Sequence, residues 1–509
     1  MSVTRRVGRN LALLIVGRFS VLLVWLAMTP AILHRLGAEQ FGFWSLLLVI
    51  LGTIGTVDLG LGIAISRYVS ESAARRDLPA VGPLVARAIG LQLLFVLIVA
   101  GAGYLLRSSL LDLFRVPDAW RPEAARALAW ALFGFIAIVP FNAFGAALQG
   151  LQRMDLYAAG MAPGALALLA ATLVALQSST PLVAVVQAQV FQFAVSSLLL
   201  GLGLGLAIAR WDPGLGGPVS PAGPIAFGRL LRFGGWVQTN AAVALTNLHV
   251  DKILLGALVA LPSVAAYELG MRVSGVAMLV PQLGLSALLP VMVHREALAE
   301  PGARLRTYRA ALAPYLALVG LITCGLVSLA GPLLEAWLGH SEPAEVFALR
   351  GLALAGGITT ATGVVSTMVR AAERPEIETE AGVVGLLLHV GLSWVGWAVW
   401  GWQGVIAGLV ASAVCAATYF VIRVESWLEA SRVGAETLRA LVAPAIAALA
   451  AGAGGWAISN WTRTGPPGRL RGLVALGWGA ATLLVAYAIV VLLLAPAVRE
   501  RMRSLVTHR

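Results

Sequence analysis

The sequence predicts an all-α polytopic membrane protein of about fourteen transmembrane helices. They form two parallel-repeat six-helix bundles followed by two C-terminal helices. Three observations carry this. The chain is 59% hydrophobic and 12% charged, with a mean hydropathy of +0.87, whereas soluble domains carry about 25% charged residues. Apolar runs of about 20 residues, the length needed to cross hydrocarbon, recur along the whole chain. The two halves also repeat, at an offset of 224 residues that drifts to 221.

In chain order the spans fall at about 11–33, 41–65, 82–106, 124–148, 158–178, 183–209, 234–258, 262–290, 309–333, 345–370, 379–400, 404–424, 438–460 and 472–496. The first follows Arg5, Arg6 and Arg9 but is too long for a signal-peptide core, so it reads as a helix. Between spans three and four, SSLLDLFRVPDAW reads as an amphipathic piece on the outer face. Trp394, Trp397, Trp400 and Trp402 crowd one outer helix end, as an interfacial aromatic belt does. The domain division is 1–209 (first bundle), 210–233 (cytoplasmic linker), 234–424 (second bundle) and 425–509 (two more helices and a tail).

Sidedness follows from arginine. An even number of spans puts both termini on one side. That side carries 23 of the basic residues and the opposite loops carry 8, so the termini are expected in the cytoplasm. The net charge of +12 is thereby spent on membrane topology and not on nucleic acid.

DLGLGIAISRYVSE at 58–71 aligns with the segment from Gln282, and Phe43 falls on Tyr267 at the same offset. QRMD at 152–155 answers ERPE at 373–376. Both halves start from the cytoplasm, so the repeats are parallel, a common transporter plan.

The unusual stretch is the hairpin 234–292. It carries Asp251, Lys252, Glu268 and Arg272 within apolar helices, together with Gln238, Asn240, Asn247 and His249. A charge in mid-membrane costs about 2.5–3.5 kcal/mol on insertion scales, so four need pairing, water or both. Glu268 and Arg272 are spaced i,i+4 and can pair on one face. Asn240, Asn247 and Asp251 also share a face. The hairpin therefore reads as one wall of a transport pathway.

Arg18 and Asp58 form a second polar pair, each about 10 Å deep from the cytoplasmic side. His249 and His389 read as lone packing histidines, and Arg87 and Arg350 as snorkelling side chains. Cys324 and Cys415 lie in apolar spans and suggest neither a disulfide nor a metal site. No P-loop, nucleophile constellation or metal-ligand spacing is present, so no catalytic residue, metal or cofactor is expected.

Residues 36–71, with LGAEQFGFW and DLGLG, and residues 250–292, with DKILLG and Tyr267, resemble the polysaccharide-flippase family of the multidrug/oligosaccharidyl-lipid/polysaccharide exporter superfamily. The resemblance implies two bundles in a V around a central cavity, and export of an undecaprenyl-pyrophosphate-linked oligosaccharide across the bacterial inner membrane. On that footing Arg18, Lys252, Arg272, Asn240 and Asn247 are expected to contact the anionic headgroup. Asp58, Asp251 and Glu268 are expected to couple to a proton or sodium ion or to gate. Membrane lipids, a polysaccharide polymerase and glycosyltransferases are the implied partners, with no nucleic acid.

Structural ion pairing remains open beside each of these roles. A cation-coupled drug exporter of the same superfamily is the first rival. A membrane polymerase or ligase, which typically needs a large outer loop that is missing, is the second, and a non-transporting scaffold is the third.

Overall fold

The structure is a computed structural model. It describes residues 3–56, 61–74, 81–210, 247, 249–297, 303–372, 374–428, 433–463 and 466–494. The described residues are helices joined by turns: α1 (Val3–Thr56), α2 (Leu61–Ala74), α3 (Val81–Leu105), α4 (Arg107–Leu113), α5 (Arg121–Gly150), α6 (Met154–Ala175), α7 (Pro181–Ala209), α8 (249–258), α9 (Leu261–Ala297), α10 (Ala303–Ser328), α11 (Ala330–Leu338), α12 (Pro343–Ala361), α13 (Gly363–Ala371), α14 (Pro375–Trp400), α15 (Trp402–Trp427), α16 (Val433–Thr462) and α17 (Arg469–Leu494). Eleven helices among the described residues are long and apolar enough to cross a membrane. The protein is a multi-pass membrane protein. Lipid offers no hydrogen bonds, so a backbone that crosses it closes its own bonds as helix.

Two expected spans are broken, and one expected connection is tight. The first two spans are two helices that meet at Gly37, whose φ +72° and ψ 169° are not helical, inside the connection expected between 33 and 41. The ninth and tenth are each interrupted, at Leu329 between α10 and α11 and at Thr362 between α12 and α13. The piece expected at 108–120 is helical in part, as α4 and a 3₁₀ turn at Asp118–Trp120.

The bend explains the LGAEQFGFW motif. Gly37 has φ +72°, which a side chain disfavours. At Gly42 a Cβ would stand 2.0 Å from the Leu261 carbonyl oxygen, so only glycine lets the two backbones meet. Phe41, Phe43 and Trp44 are buried, with Trp44 stacking against Phe41 and Trp25 at centroid separations of 5.3 Å.

The chain divides into two compact units, residues 1–249 with 256–265, and residues 250–255 with 266–509. In the first, Leu61, Ile65, Val69, Val85, Leu148 and Leu200 form a core between α2, α3, α5 and α7. Arg35 donates to the carbonyls of Leu176 (2.9 Å) and Ser178 (3.1 Å), which lie just past the C-terminal end of α6. In the second unit, Tyr308, Leu316, Val364, Met368 and Val424 form the corresponding core.

The repeat is visible in the turn before α6 and the turn before α14. Arg153 and Arg374 are the N-cap residues, and each pairs with the acid two positions on, Asp155 at 2.8 Å and Glu376 at 3.2 Å. Their backbone N–H groups donate to Leu148 and Val369, again 221 residues apart. Pro122 and Pro343 open α5 and α12 at that same offset, where a missing N–H costs nothing.

The last two helices pack within the second unit. Ala447, Ala451, Leu483 and Tyr487 meet Cys324 and Leu329, and the Tyr487 hydroxyl donates to the Ala317 carbonyl at 2.8 Å. Their connecting turn is tied down by the fully buried Glu335, which accepts from Arg471 Nε (2.5 Å), Arg463 Nη2 (2.7 Å) and the Gly468 N–H (3.0 Å). Burial pushes the Glu335 carboxyl up, but the bonds from Arg471, Gly468 and Arg463 outweigh it, and the group sits below its ordinary value.

A lowered folded value means stability that is full above the ordinary glutamate pKa of about 4.3 and lost as pH falls through the folded value. Glu335→Gln is therefore expected to lose about 2 kcal/mol at neutral pH. Thermal melts of purified wild type and variant should show a constant gap from pH 5 to 8 that closes below pH 4. A gap that widens in acid would refute this.

Candidate functional site

α8 and α9 place the hairpin's charges in one register within the second unit. Asp251 lies opposite Tyr267 and Lys252 opposite Glu268, each pair 16 residues apart. Two polar networks result. In the first, Glu268 binds both Lys252 Nζ and Arg272 Nε, the latter at 2.6 Å. Lys252 and Glu268 are under 5% exposed, and the Arg272 side chain is 12% exposed. The expected i,i+4 pair thus exists, and Lys252 joins it from the neighbouring helix.

In the second network Asp251 accepts from the Tyr267 hydroxyl at 2.7 Å, meets His389 Nε2 at 2.9 Å and lies 3.4 Å from the Ser393 hydroxyl. Ser393 also bonds the Val405 carbonyl of α15 at 3.3 Å. All four residues are buried.

Among the described residues the charges balance: with His389 neutral, two carboxylates face two cations, and a proton on His389 makes the sum +1. Buried charges persist only when paired and hydrogen-bonded, and both conditions hold here. Chemically the cluster can do two things. A cation freed from Glu268 can bind an oxyanion, and the Asp251–His389 pair can hold or release a proton.

His389 is a satisfied, buried packing residue as expected, but it is not lone: its partner is Asp251, 138 residues away. His389 and Ser393 are spaced i,i+4 in an apolar helix, so their shared polar face is a signal that the sequence does contain. Tyr267, a repeat position and part of the family resemblance, is a hydrogen-bond donor in the structure. Arg350 does not snorkel free; its Nε donates to the Val327 carbonyl at 3.0 Å. Arg87 is exposed.

Asn247 is half-buried, one turn before Asp251. Asn240 and Asp58 lie outside the described residues, and Arg18 is described as a helix position without its side chain. The pairing expected between Arg18 and Asp58 therefore also lies outside them.

The profile of the family described as "Polysaccharide biosynthesis protein" matches residues 7–295. No curated protein sequence matches the chain. Among solved structures, a lipid II flippase MurJ in an inward closed conformation is similar with a TM-score of 0.69 at 12% identity, over 94% of this chain and 99% of that one. A multidrug resistance MATE family transporter of the MOP superfamily, inward-facing, is similar with a TM-score of 0.65 at 16% identity, over 82% and 99%. A MOP superfamily transporter from Pyrococcus furiosus is similar with a TM-score of 0.57 at 15% identity, over 83% and 96%. At these identities the likeness is one of fold.

Proposed function

The chain belongs to the polysaccharide biosynthesis protein family, and from that premise we propose that it is a flippase and not an enzyme. It moves an undecaprenyl-pyrophosphate-linked oligosaccharide from the cytoplasmic to the periplasmic leaflet of a bacterial inner membrane, with both termini cytoplasmic. The supporting observation is the balanced ionic cluster of Asp251, Lys252, Glu268, Arg272 and His389, buried among apolar helices. A scaffold gains nothing from such a cluster that apolar packing would not give, since buried ion pairs are roughly neutral for stability.

In this reading Lys252 and Arg272 exchange Glu268 for pyrophosphate oxygens when the bundles rock, with Asn247, Asn240 and Arg18 adding contacts. A guanidinium forks onto phosphate bidentately, which suits the headgroup. Glu268 and Asp58 act as the counter-ions that the substrate displaces. Asp251, with His389, takes the coupling proton; sodium is the alternative at the same carboxylate. Each charge moved across the membrane potential is worth about 2.3 kcal/mol per 100 mV. The lipid tail stays in the bilayer. Glycosyltransferases supply the substrate and a polymerase consumes it. A drug exporter for cations would be better served by an unpaired acidic cavity than by a glutamate already held by two cations.

The test is deletion of the gene in its own host. Surface polysaccharide should disappear and the lipid-linked oligosaccharide should accumulate protease- and lectin-inaccessible on the cytoplasmic leaflet. Intact polysaccharide together with altered drug sensitivity would establish the exporter instead.

A further inference from the structure

The second unit holds an apolar groove of about 800 Å³, walled by α10, α12 with α13, α15 and α16. Each wall belongs to a stretch long and apolar enough to cross a membrane. Its floor is buried, at Leu316, Val319 and Val365, and its lips are exposed, at Val414 and Ile422 of α15 and Leu449 of α16. The lining runs from Val414 to Glu425 on α15 and from Leu441 to Ala453 on α16, which at 1.5 Å per residue is about 16–18 Å. That matches one leaflet, half of a hydrocarbon core about 30 Å thick.

The polar atoms of the lining are already spent. Cys324 Sγ donates to the Ala448 carbonyl at 2.9 Å, and the Ser328 hydroxyl to the Cys324 carbonyl at 2.7 Å. The hydroxyls of Thr362 and Thr418 donate to the carbonyls of Thr359 and Val414, each at 2.8 Å. The Thr323 hydroxyl is buried against Gly357. Water settles in a cavity only where polar partners hold it, and this wall offers hydrocarbon. An empty groove forfeits the contacts of every atom that lines it. A groove of this lining, open at membrane depth, is filled by alkyl chain.

One lining residue is different. Glu425 closes one end of the groove, two residues before the last residue of α15, and is half-buried. It carries the only formal charge in the lining. Among the described residues no ion pair or hydrogen bond engages its carboxylate. Arg423, two positions earlier, is already held by Glu380 at 3.1 Å. A carboxylate at the head of an alkyl-chain groove selects headgroups by charge, attracting an ammonium and repelling a pyrophosphate.

The first half has neither the acid nor the full wall. α7 and α15 start 221 residues apart, at Pro181 and Trp402. At that offset Glu425 falls on Leu204, which is buried in the core of the first unit. The fourth wall, α16, lies outside the repeat. The groove is therefore something the added helices build onto the second half, not a seam that the shared fold leaves in both.

We propose that this groove is a lipid site, which seats an acyl chain of a phospholipid whose headgroup ends in an ammonium, with Glu425 as the counter-ion of that ammonium. A polyprenyl pyrophosphate seated the same way would set its charge against the carboxylate, so the groove is not the place of the substrate's tail. The site does not depend on the flippase reading, and gene deletion does not test it.

Native mass spectrometry of the full-length protein released from detergent micelles tests it, with phosphatidylethanolamine and phosphatidylglycerol of identical acyl chains as probes. Wild type should retain phosphatidylethanolamine in preference. Glu425→Gln, nearly isosteric, should lower that preference about fivefold, the scale of a partly exposed ion pair. Glu425→Asp keeps the charge and should keep the preference, which guards against a folding defect in the glutamine variant. Ala445→Phe places a ring at the exposed mouth on α16 and should reduce retention of both lipids. Asp118→Asn, which removes an exposed acid of the first unit, should change nothing.

Equal retention of the two lipids by wild type, or an unchanged preference in Glu425→Gln, would overturn the assignment. Displacement of phosphatidylethanolamine by polyprenyl pyrophosphate would give the groove to the substrate's tail and overturn it too. Retention of the lipophilic cation tetraphenylphosphonium with no phosphatidylethanolamine bound would make the groove a drug site and have the same consequence.

Discussion

Glu268→Gln is expected to destabilise the protein by about 3–5 kcal/mol, the largest effect of any single substitution in the cluster. The glutamate is the shared counter-ion of Lys252 and Arg272. Its loss leaves two cations beside each other, and Lys252 is only 2% exposed. The amide is nearly isosteric, so the effect is one of charge and not of packing. Tryptophan-fluorescence melts of purified protein and the yield of monodisperse material both measure it.

A double variant, Glu268→Gln with Lys252→Met, removes the more deeply buried of the two cations and should recover part of the loss. Residues in one ionic network couple in this way, whereas independent sites add. A double variant worse than Glu268→Gln alone, or a Glu268→Gln variant that melts with wild type, would show that the network is not what holds these helices together.

Arg272→Ala should act on transport and spare the fold. Lys252 still neutralises Glu268, so the remaining pair stays balanced and the variant should accumulate in the membrane at near wild-type level. Surface polysaccharide, measured beside an immunoblot of the protein, should fall at least tenfold. Arg272→Lys should restore it only in part, since an ammonium keeps the charge and loses the planar fork. Normal polysaccharide in the alanine variant would remove the headgroup role from this residue. Reduced polysaccharide in proportion to reduced protein would make Arg272 a structural residue.

The two expectations divide along a line the structure draws. Glu268 is held from two directions, by a neighbour one helical turn away and by a neighbour on the next helix. Removing it takes the shared counter-ion from both partners, while removing one partner leaves a pair. The sequence shows the Glu268–Arg272 half of this arrangement through its i,i+4 spacing, but not Lys252 as the second partner.

Much of the architecture was legible because lipid is a demanding solvent. A backbone that crosses it must be helical, its side chains must be apolar, and positive loops choose a side. Composition and run length therefore state the fold class directly. The parallel repeat was legible for a related reason. Its turn geometry depends on local residues, an arginine N-cap and an acid two positions later, and these recur at a constant offset. The break at Leu329 and the break at Thr362 were not legible, because apolar composition runs through both.

Within the cluster the same distinction applies. The Glu268–Arg272 contact is set by helical periodicity, which places i and i+4 side by side whatever the rest of the chain does. Asp251 and His389 meet only because α8, α9 and α14 pack together, and Glu335 finds Arg463 and Arg471 more than a hundred residues downstream for the same kind of reason. The sequence by itself determined which residues must be in the membrane, that they are helices, and which charges share a turn. Only the tertiary structure decided which distant charges neutralise one another, because partner choice inside lipid depends on how helices pack, and apolar helix surfaces of similar composition permit many packings.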